Sequence, residues 1–154
     1  MTKKKSKYIR ERIKEESEVM ERLEKASITV QTMVYPCEDM EKVYQCIRNV
    51  VDGQITEEEV SPRHTLLIIK AEGKDAVIRI FNHFRQRRVL ATLRRYLNKY
   101  VDDEKGEIML FLHKQAAFAG VLNLCEPGES PLGEIIVRIK VDDPRRIISW
   151  FTSF

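Results

Sequence analysis

The spacing of hydrophobic residues along the 154-residue chain switches repeatedly between a period of two and a period near 3.6. The first is typical of a strand with one buried face, and the second is typical of an amphipathic helix. Residues 27–35 alternate clearly, and the residues on one side are Ile28, Val30, Thr32 and Val34. Residues 134–141 alternate most clearly of all, with basic residues on the outer side, Arg138 and Lys140.

The remaining elements follow from the same two patterns. Helical spacing predicts helices over residues 8–25, 38–51, 75–85 and 89–100, the last either separate from the third or continuous with it. Alternation or a short apolar run predicts further strands over residues 54–60, 64–72, 107–113 and 120–125. A final helix is predicted to begin at Asp143-Pro144, with the aspartate as its N-cap and the proline in its first turn.

These elements predict an α+β fold with a mainly antiparallel sheet and helices packed on one of its faces. The chain has no internal repeat and no long linker, so residues 27–154 are expected to form a single domain. Residues 1–26 precede it as a basic tail and a charged helix. The apolar stripe of that helix is thin, which predicts a surface or protruding element.

Composition argues against several classes of protein but does not indicate a function. No apolar run approaches the roughly 20 residues that a membrane-spanning helix needs, and the basic N-terminus lacks the apolar core of a signal peptide. The three cysteines, Cys37, Cys46 and Cys125, contain no CxxC pair, which argues against a disulfide framework and a zinc site. We expect a chain of the reducing cytoplasm with no metal and no cofactor.

Positive charge is concentrated in one stretch. The whole chain has a net charge of only +3, yet residues 74–99 hold eight basic side chains and one acidic one. Arg87 and Arg94 are seven apart, as are Arg88 and Arg95, and residues seven apart lie on one face of a helix. The helix is therefore expected to carry an arginine ridge opposite the apolar residues Leu93 and Leu97, with Lys99 extending it.

Arginine suits phosphate because its planar guanidinium donates two parallel hydrogen bonds. A ridge of this kind favours a nucleic-acid backbone, with an affinity that falls steeply as salt rises. The alternative is a solvated helix face whose charges are neutralised by acids elsewhere in the fold. Tyr96 and Tyr100 border the ridge and are expected either to stack on bases or, more simply, to pack in the core.

Two other segments can each be interpreted either as a ligand contact or as a purely structural turn. Residues 114–120, KQAAFAG, place four small residues after a polar pair, which permits close backbone approach to a ligand or forms a tight corner between strands. Residues 130–133, SPLG, have the composition of a plain turn. No catalytic motif occurs, and the histidines are too scattered for metal-ligand spacing, so we expect no enzyme.

From about Ser27 onward the sequence resembles a family of uncharacterised archaeal proteins. The resemblance lies in the FRQRR segment at 84–88 with the later Arg94, in KQAAFAG at 114–120, in ESPLGEI at 129–135, and in the aspartate and Ile-x-Trp-Phe of 143–151. The first segment is similar to a family pattern Arg-x-Gln-Arg-Ile-Leu-x-x-x-Arg. Here Arg88 and Val89 stand where an apolar pair is more usual.

The resemblance implies a fold like that of the large-subunit ribosomal protein that binds 5S rRNA, and a relation to a predicted RNA-binding family associated with the exosome. It also suggests that Lys114, Gln115 and the 130–133 turn form a shared surface. No activity is attached to the family itself, so its RNA role is an analogy of fold.

Three hypotheses follow. The first is a non-enzymatic protein that binds structured RNA, and its expected contacts are Arg85, Arg87, Arg88, Arg94, Arg95, Lys99, Lys114, Gln115, Arg138 and Lys140. The second is a protein-interaction or assembly subunit, including a homodimer, motivated by the charged N-terminal helix and the aromatic C-terminal one. The third is an enzyme, which would need a pocket that gathers His64 or His113 with Lys114 and a carboxylate.

Overall fold

The structure, a computed structural model, describes residues 3–86 and 90–153. These residues form six helices and five strands. The helices are α1 Lys3–Glu24, α2 Met40–Arg48, α3 Lys74–Gln86, α4 Leu90–Tyr100, α5 Lys114–Phe118 and α6 Pro144–Phe151. The strands are β1 Ser27–Val34, β2 Ile55–Ser61, β3 His64–Glu72, β4 Glu107–His113 and β5 Glu134–Lys140.

The five strands form one sheet in the order β2-β3-β1-β5-β4, and every neighbouring pair is antiparallel. Val30 in the central strand lies opposite Ile69 of β3 and Val137 of β5, and all three are fully buried. Because side chains alternate between the faces of a sheet, the register collects the apolar residues on one side. The predicted α+β class and the antiparallel sheet are confirmed.

Helices cover that apolar side, and the opposite face of the sheet stays partly open. The core joins the strands to apolar residues from α1, α2, α3, α4 and α6. Phe81 of α3 and Phe151 of α6 are both buried, with ring centroids 4.3 Å apart. The aromatic residues of α6 are thus core residues, which removes one of the two reasons for expecting an assembly surface.

The first helix is longer than predicted and has two different halves. It begins at Lys3, so most of the expected basic tail is helical. Val19 and Leu23 are buried against the domain, whereas Tyr8, Ile9 and Ile13 are exposed. Ion pairs from the C-terminal half fasten it to the domain, namely Glu18 with Arg146, Arg22 with Asp142 and Glu24 with Lys74.

The strand predicted over residues 120–125 is wrong. Residues 114–118 form the short helix α5, which replaces the expected corner between strands, and the chain then returns along the free edge of β4 with only an isolated bridge. A continuous ladder does not form because the Tyr96 hydroxyl takes one of its positions. That hydroxyl accepts a hydrogen bond from the Phe111 N–H at 3.1 Å and donates to the Cys125 carbonyl at 2.6 Å.

Asp143 is the N-cap of the last helix and Pro144 lies in its first turn, as predicted, but the aspartate side chain does not cap the helix. Asp143 occupies the cap position, but its backbone is left-handed, with φ of 52°, and its side chain makes no capping hydrogen bond with the described residues. Its carboxylate lies instead 3.7 Å from the Arg22 guanidinium. The Asp143 carboxylate therefore pairs with Arg22 of α1 instead of capping α6.

No helix in the described ranges combines the length and the hydrophobicity needed to cross a membrane.

Candidate nucleic-acid interface

The basic segment is divided between α3 and α4. Arg87 and Arg88, two of the four arginines that predict the ridge, lie outside the described residues. On α4, Leu93 and Leu97 are fully buried, and Arg94, Arg95 and Lys99 are exposed. The expected opposition of a charged face and an apolar face is therefore present on the part of the segment that the structure describes.

Two of the arginines bind another part of the protein. The Arg85 guanidinium lies over the Phe151 ring, with its central carbon 4.6 Å from the ring centroid. Arg94 donates from Nε to the Thr152 hydroxyl at 2.8 Å and from Nη2 to the Thr152 carbonyl at 3.2 Å. Both contacts fix the C-terminal end of α6, so these arginines have a structural role whatever else they contact.

Arg95 and Lys99 are one turn apart, and they project from α4 into solvent. Lys99 forms an exposed ion pair with Glu126 at 3.4 Å, and its ammonium lies 5.2 Å from the Tyr100 ring centroid. An exposed pair of this kind contributes little to stability and is readily exchanged for another anion. These two side chains are the cations of α4 best placed to meet a phosphate.

The two tyrosines of α4 pack against the sheet. The Tyr100 ring lies 5.3 Å from that of Phe111 and 4.9 Å from that of Tyr96. Burial raises the pKa of the Tyr96 phenol far above its usual value, because the ionised form would be desolvated. Core packing, the simpler of the two expectations, is confirmed for Tyr96, whereas Tyr100 is half-buried against Phe111 outside the main core. Together the two rings set α4 beside the edge strand β4.

The open face of the sheet carries two further predicted cations, Arg138 and Lys140. Arg138 is half-buried there and donates to the Gln31 side-chain oxygen at 3.1 Å. Lys140 is exposed between Ser27 and Glu107 on the neighbouring strands. The acid beside Lys140 weakens the local positive potential, so Arg138 is the stronger of the two candidates.

Lys114 does not lie on the open face. Only 5% of its side chain is exposed, and 8% of that of its partner Glu38. The ammonium donates to the carbonyls of Met33 and Leu132, at 2.7 and 2.6 Å, and to the Glu38 carboxylate at 3.0 Å. With its donors engaged in this way, the group has no hydrogen bond to offer a phosphate, and we exclude it from the proposed contact surface.

Beside this ion pair lies a cleft of about 510 Å³ between α2, α5 and the turn before β5. Its walls come from residues 37–39 with Lys42, Val43 and Cys46, from Gln115 and Phe118 of α5, and from residues 130–132. The turn is closed by a hydrogen bond from the Gly133 N–H to the Ser130 carbonyl, which confirms its plain turn chemistry. Gln115 is exposed at the cleft.

Among the described residues, the cleft does not gather the set of groups that the enzyme hypothesis names. The cleft joins Lys114 to a carboxylate, but none of the described histidines lines it. His64 instead lies 2.7 Å from the Ser61 hydroxyl. Within residues 3–86 and 90–153, no cluster of three or more histidine, cysteine or acidic side chains could hold a metal ion.

The ion pair and its cleft could not be found from the sequence. Glu38 and Lys114 are 76 residues apart, and neither has a local signal that distinguishes it from a surface charge. The two composition-based segments at 114–120 and 130–133 did point to this region. They meet at the cleft because Lys114 hydrogen-bonds to the turn through Leu132.

The geometry defines a class of protein: an α+β fold with helices on one face of an antiparallel sheet, the other face partly open, and a basic helix beside the edge strand. The chain belongs to the UPF0201 family of archaeal proteins, and the family model that matches residues 27–141 is described as RNA binding. The expected archaeal family is thereby confirmed.

Two relatives and one solved structure illustrate the family. The chain is 36% identical over 123 residues to a UPF0201 protein of Thermococcus kodakarensis, covering 80% of this chain and 86% of the relative. It is 37% identical over 131 residues to one of Methanopyrus kandleri, covering 80% and 82%. The crystal structure of a UPF0201 protein from Methanococcus jannaschii has a TM-score of 0.69 at 24% identity, covering 82% and 98%, and shows the shared fold.

Replacing Lys114 by Met should lower the free energy of unfolding by about 3–5 kcal/mol, because it leaves the Glu38 carboxylate and two carbonyls buried without their cation. Urea unfolding followed by circular dichroism measures the change. The double variant Lys114→Met, Glu38→Leu should recover part of the loss, since the uncompensated charge is gone. A loss below about 1 kcal/mol in the single variant would mean that the pair is solvated.

The three thiols should differ sharply in reactivity. Cys37 is exposed, whereas burial raises the pKa of Cys46 and raises that of Cys125 to about 11. Because the thiolate is the reactive form, a thiol reagent at pH 8 should modify one cysteine quickly in the native protein and all three in denaturant. The fast phase should vanish in Cys37→Ser and persist in Cys125→Ser. Two fast equivalents in the native protein would contradict this burial.

Proposed function

We propose that this protein is a non-enzymatic RNA-binding protein that contacts phosphates through the exposed cations of α4 and the adjoining basic segment. The observation that carries the proposal is the concentration of charge: residues 74–99 have a net charge of +7 in a chain whose total is +3. Charge gathered on one face is the electrostatic footprint expected of a nucleic-acid binder. The description of the family as RNA binding supports it.

The placement of α4 supports the same proposal. Tyr96 and Tyr100 hold the helix against β4, and β5, which carries Arg138, is the next strand in the sheet. Arg95 and Lys99 therefore lie on an element that borders the open face. An RNA backbone following the edge of the sheet would meet cations from both, with Arg87 and Arg88 as further contacts from the adjoining segment.

We include in this proposal the fold that the resemblance implies, which is that of the large-subunit ribosomal protein that binds 5S rRNA. A structured RNA suits the arrangement, because duplex RNA is recognised largely through its backbone and 2′-hydroxyls rather than through base edges. We expect binding with limited sequence preference.

Fluorescence anisotropy with a hairpin RNA and a duplex DNA, each at low and near-physiological salt, tests the proposal. The variant Arg95→Gln, Lys99→Gln should bind the hairpin about tenfold more weakly, and the slope of log affinity against log salt should fall by roughly 1.5–2, since two phosphate contacts are lost. These positions are preferable to Arg94, whose substitution also removes hydrogen bonds to Thr152.

The matched control is Arg63→Gln, Lys14→Gln, which removes the same charge from exposed positions on the β2–β3 turn and on α1. Its affinity and salt slope should stay close to those of the wild type. Equal losses of RNA affinity in the two double variants would show that the effect depends only on the net charge of the protein. Weak binding of RNA and DNA alike, vanishing at physiological salt, would remove the proposal.

A second candidate is self-assembly through α1, and it rests on a different observation. Tyr8, Ile9 and Ile13 are 60%, 42% and 60% exposed. Residues 3–14 hold seven basic side chains and one acid, whereas residues 15–25 hold five glutamates and two basic residues. Two copies of α1 lying antiparallel would cover the apolar residues and set opposite charges against each other.

Light scattering checks this second candidate. The wild type should have twice the monomer mass, and Ile9→Glu with Ile13→Glu should reduce it to the monomer mass by placing charge in the helix pair. Glu11→Gln with Lys14→Gln, which leaves the apolar residues intact, is the control. A monomeric wild type at the concentrations of the binding assay rules out the dimer and leaves the RNA proposal unaffected.

A further inference from the structure

We infer that the cleft between α2, α5 and the 130–132 turn accepts one unpaired nucleotide of the bound RNA, with its base stacked on Phe118. The inference rests on the proposed RNA-binding function and adds a second mode of contact to it. The arginine-rich helix would hold the backbone, and the cleft would hold a base.

The volume and shape of the cleft suit a single nucleotide. At about 510 Å³ it falls within the range of sites for small organic ligands. Val43, Phe118 and Leu132 supply apolar walls, and the polar side chains stand among them. A flat aromatic ligand with polar edges matches this arrangement better than a purely apolar or a highly charged one.

Phe118 gives the cleft a stacking surface. It is 46% exposed although it is among the largest apolar side chains, and it ends α5 where the chain turns at Ala119 and Gly120. Asn49, the C-cap residue of α2, fixes this end of α5, because its side-chain amide donates to the carbonyls of Ala117 and Phe118 at 2.8 and 3.2 Å. Stacking on such an aromatic side chain is how proteins hold splayed-out bases of single-stranded RNA.

The polar groups favour a base over a phosphate-rich ligand. Gln115 lies three residues before Phe118 on the same helix, is exposed, and carries the donor and acceptor needed at the edge of a base. The ionised side chains that line the cleft are Lys42, Lys114, Glu38 and Asp39, and their charges cancel. The several negative charges of a free nucleoside triphosphate would be repelled by the Glu38 and Asp39 carboxylates. A single phosphodiester carries one negative charge, which the exposed Lys42 can neutralise.

The buried ion pair makes the cleft a preformed site. The Lys114 ammonium holds together the end of β1, through the Met33 carbonyl, and the turn, through the Leu132 carbonyl. The walls therefore need little ordering when a base enters, which favours binding. The cleft also lies beside the turn that leads into β5, the strand that carries Arg138.

The experiment compares binding of a single-stranded RNA 10-mer of mixed sequence and a blunt RNA duplex by fluorescence anisotropy at near-physiological salt. Phe118→Ala should weaken binding of the single strand about tenfold, the effect expected for loss of one stacked base. Its salt slope should stay unchanged because no phosphate contact is lost. Duplex binding should also be unchanged, and Phe118→Tyr should restore the affinity for the single strand.

Val121→Ala is the control, since Val121 is a second exposed apolar residue nearby, 40% exposed, that does not line the cleft. Thermal unfolding confirms that each variant is folded. If Phe118→Ala binds the single strand as tightly as the wild type, or weakens single strand and duplex alike, the nucleotide site is overturned while RNA binding stands. If the wild type binds neither RNA, the proposed function and this inference fail together.

Discussion

The buried contact between Lys114 and Glu38 joins four segments of the chain at one end of the sheet. One ammonium group ties the first residue of α5 to the end of β1, to the segment that leads into α2, and to the turn that leads into β5. An ammonium has three donors, and here the protein supplies acceptors for them within a site from which water is largely excluded. The position of α5, and with it the shape of the neighbouring cleft, depends on this contact.

A second polar contact, made by the Tyr96 hydroxyl, determines how the edge strand β4 is covered. The free edge of β4 would expose backbone groups able to pair with another chain. The Tyr96 hydroxyl and the returning segment at 121–125 bond to those groups, through Phe111 and His113. The same tyrosine belongs to the basic helix, so protection of the edge also fixes where the exposed cations of α4 stand relative to the open face.

The arginines show how one residue type serves two purposes. Arg85 packs on an aromatic ring and Arg94 bonds to the end of α6, whereas Arg95 projects into solvent. A guanidinium is both a flat surface that stacks and a set of fixed donors, so a run of arginines does not by itself define a binding surface. Which arginines contact other parts of the protein, and which remain exposed, is decided only by the packing of α6 beside α3 and α4.

The sequence by itself determined the α+β class, the clear strands and the buried side of each, because alternation along a strand is a local property that burial imposes directly. It determined that Leu93 and Leu97 face the core and that Arg95 does not, for the same reason on a helix. Tertiary structure alone decided that residues 120–125 do not form a strand, since the Tyr96 hydroxyl of α4 takes the hydrogen bond that the ladder would use. It also decided that Lys114 is buried, because its partners come from three separate segments and a lysine carries no local sign of the acceptors it will meet.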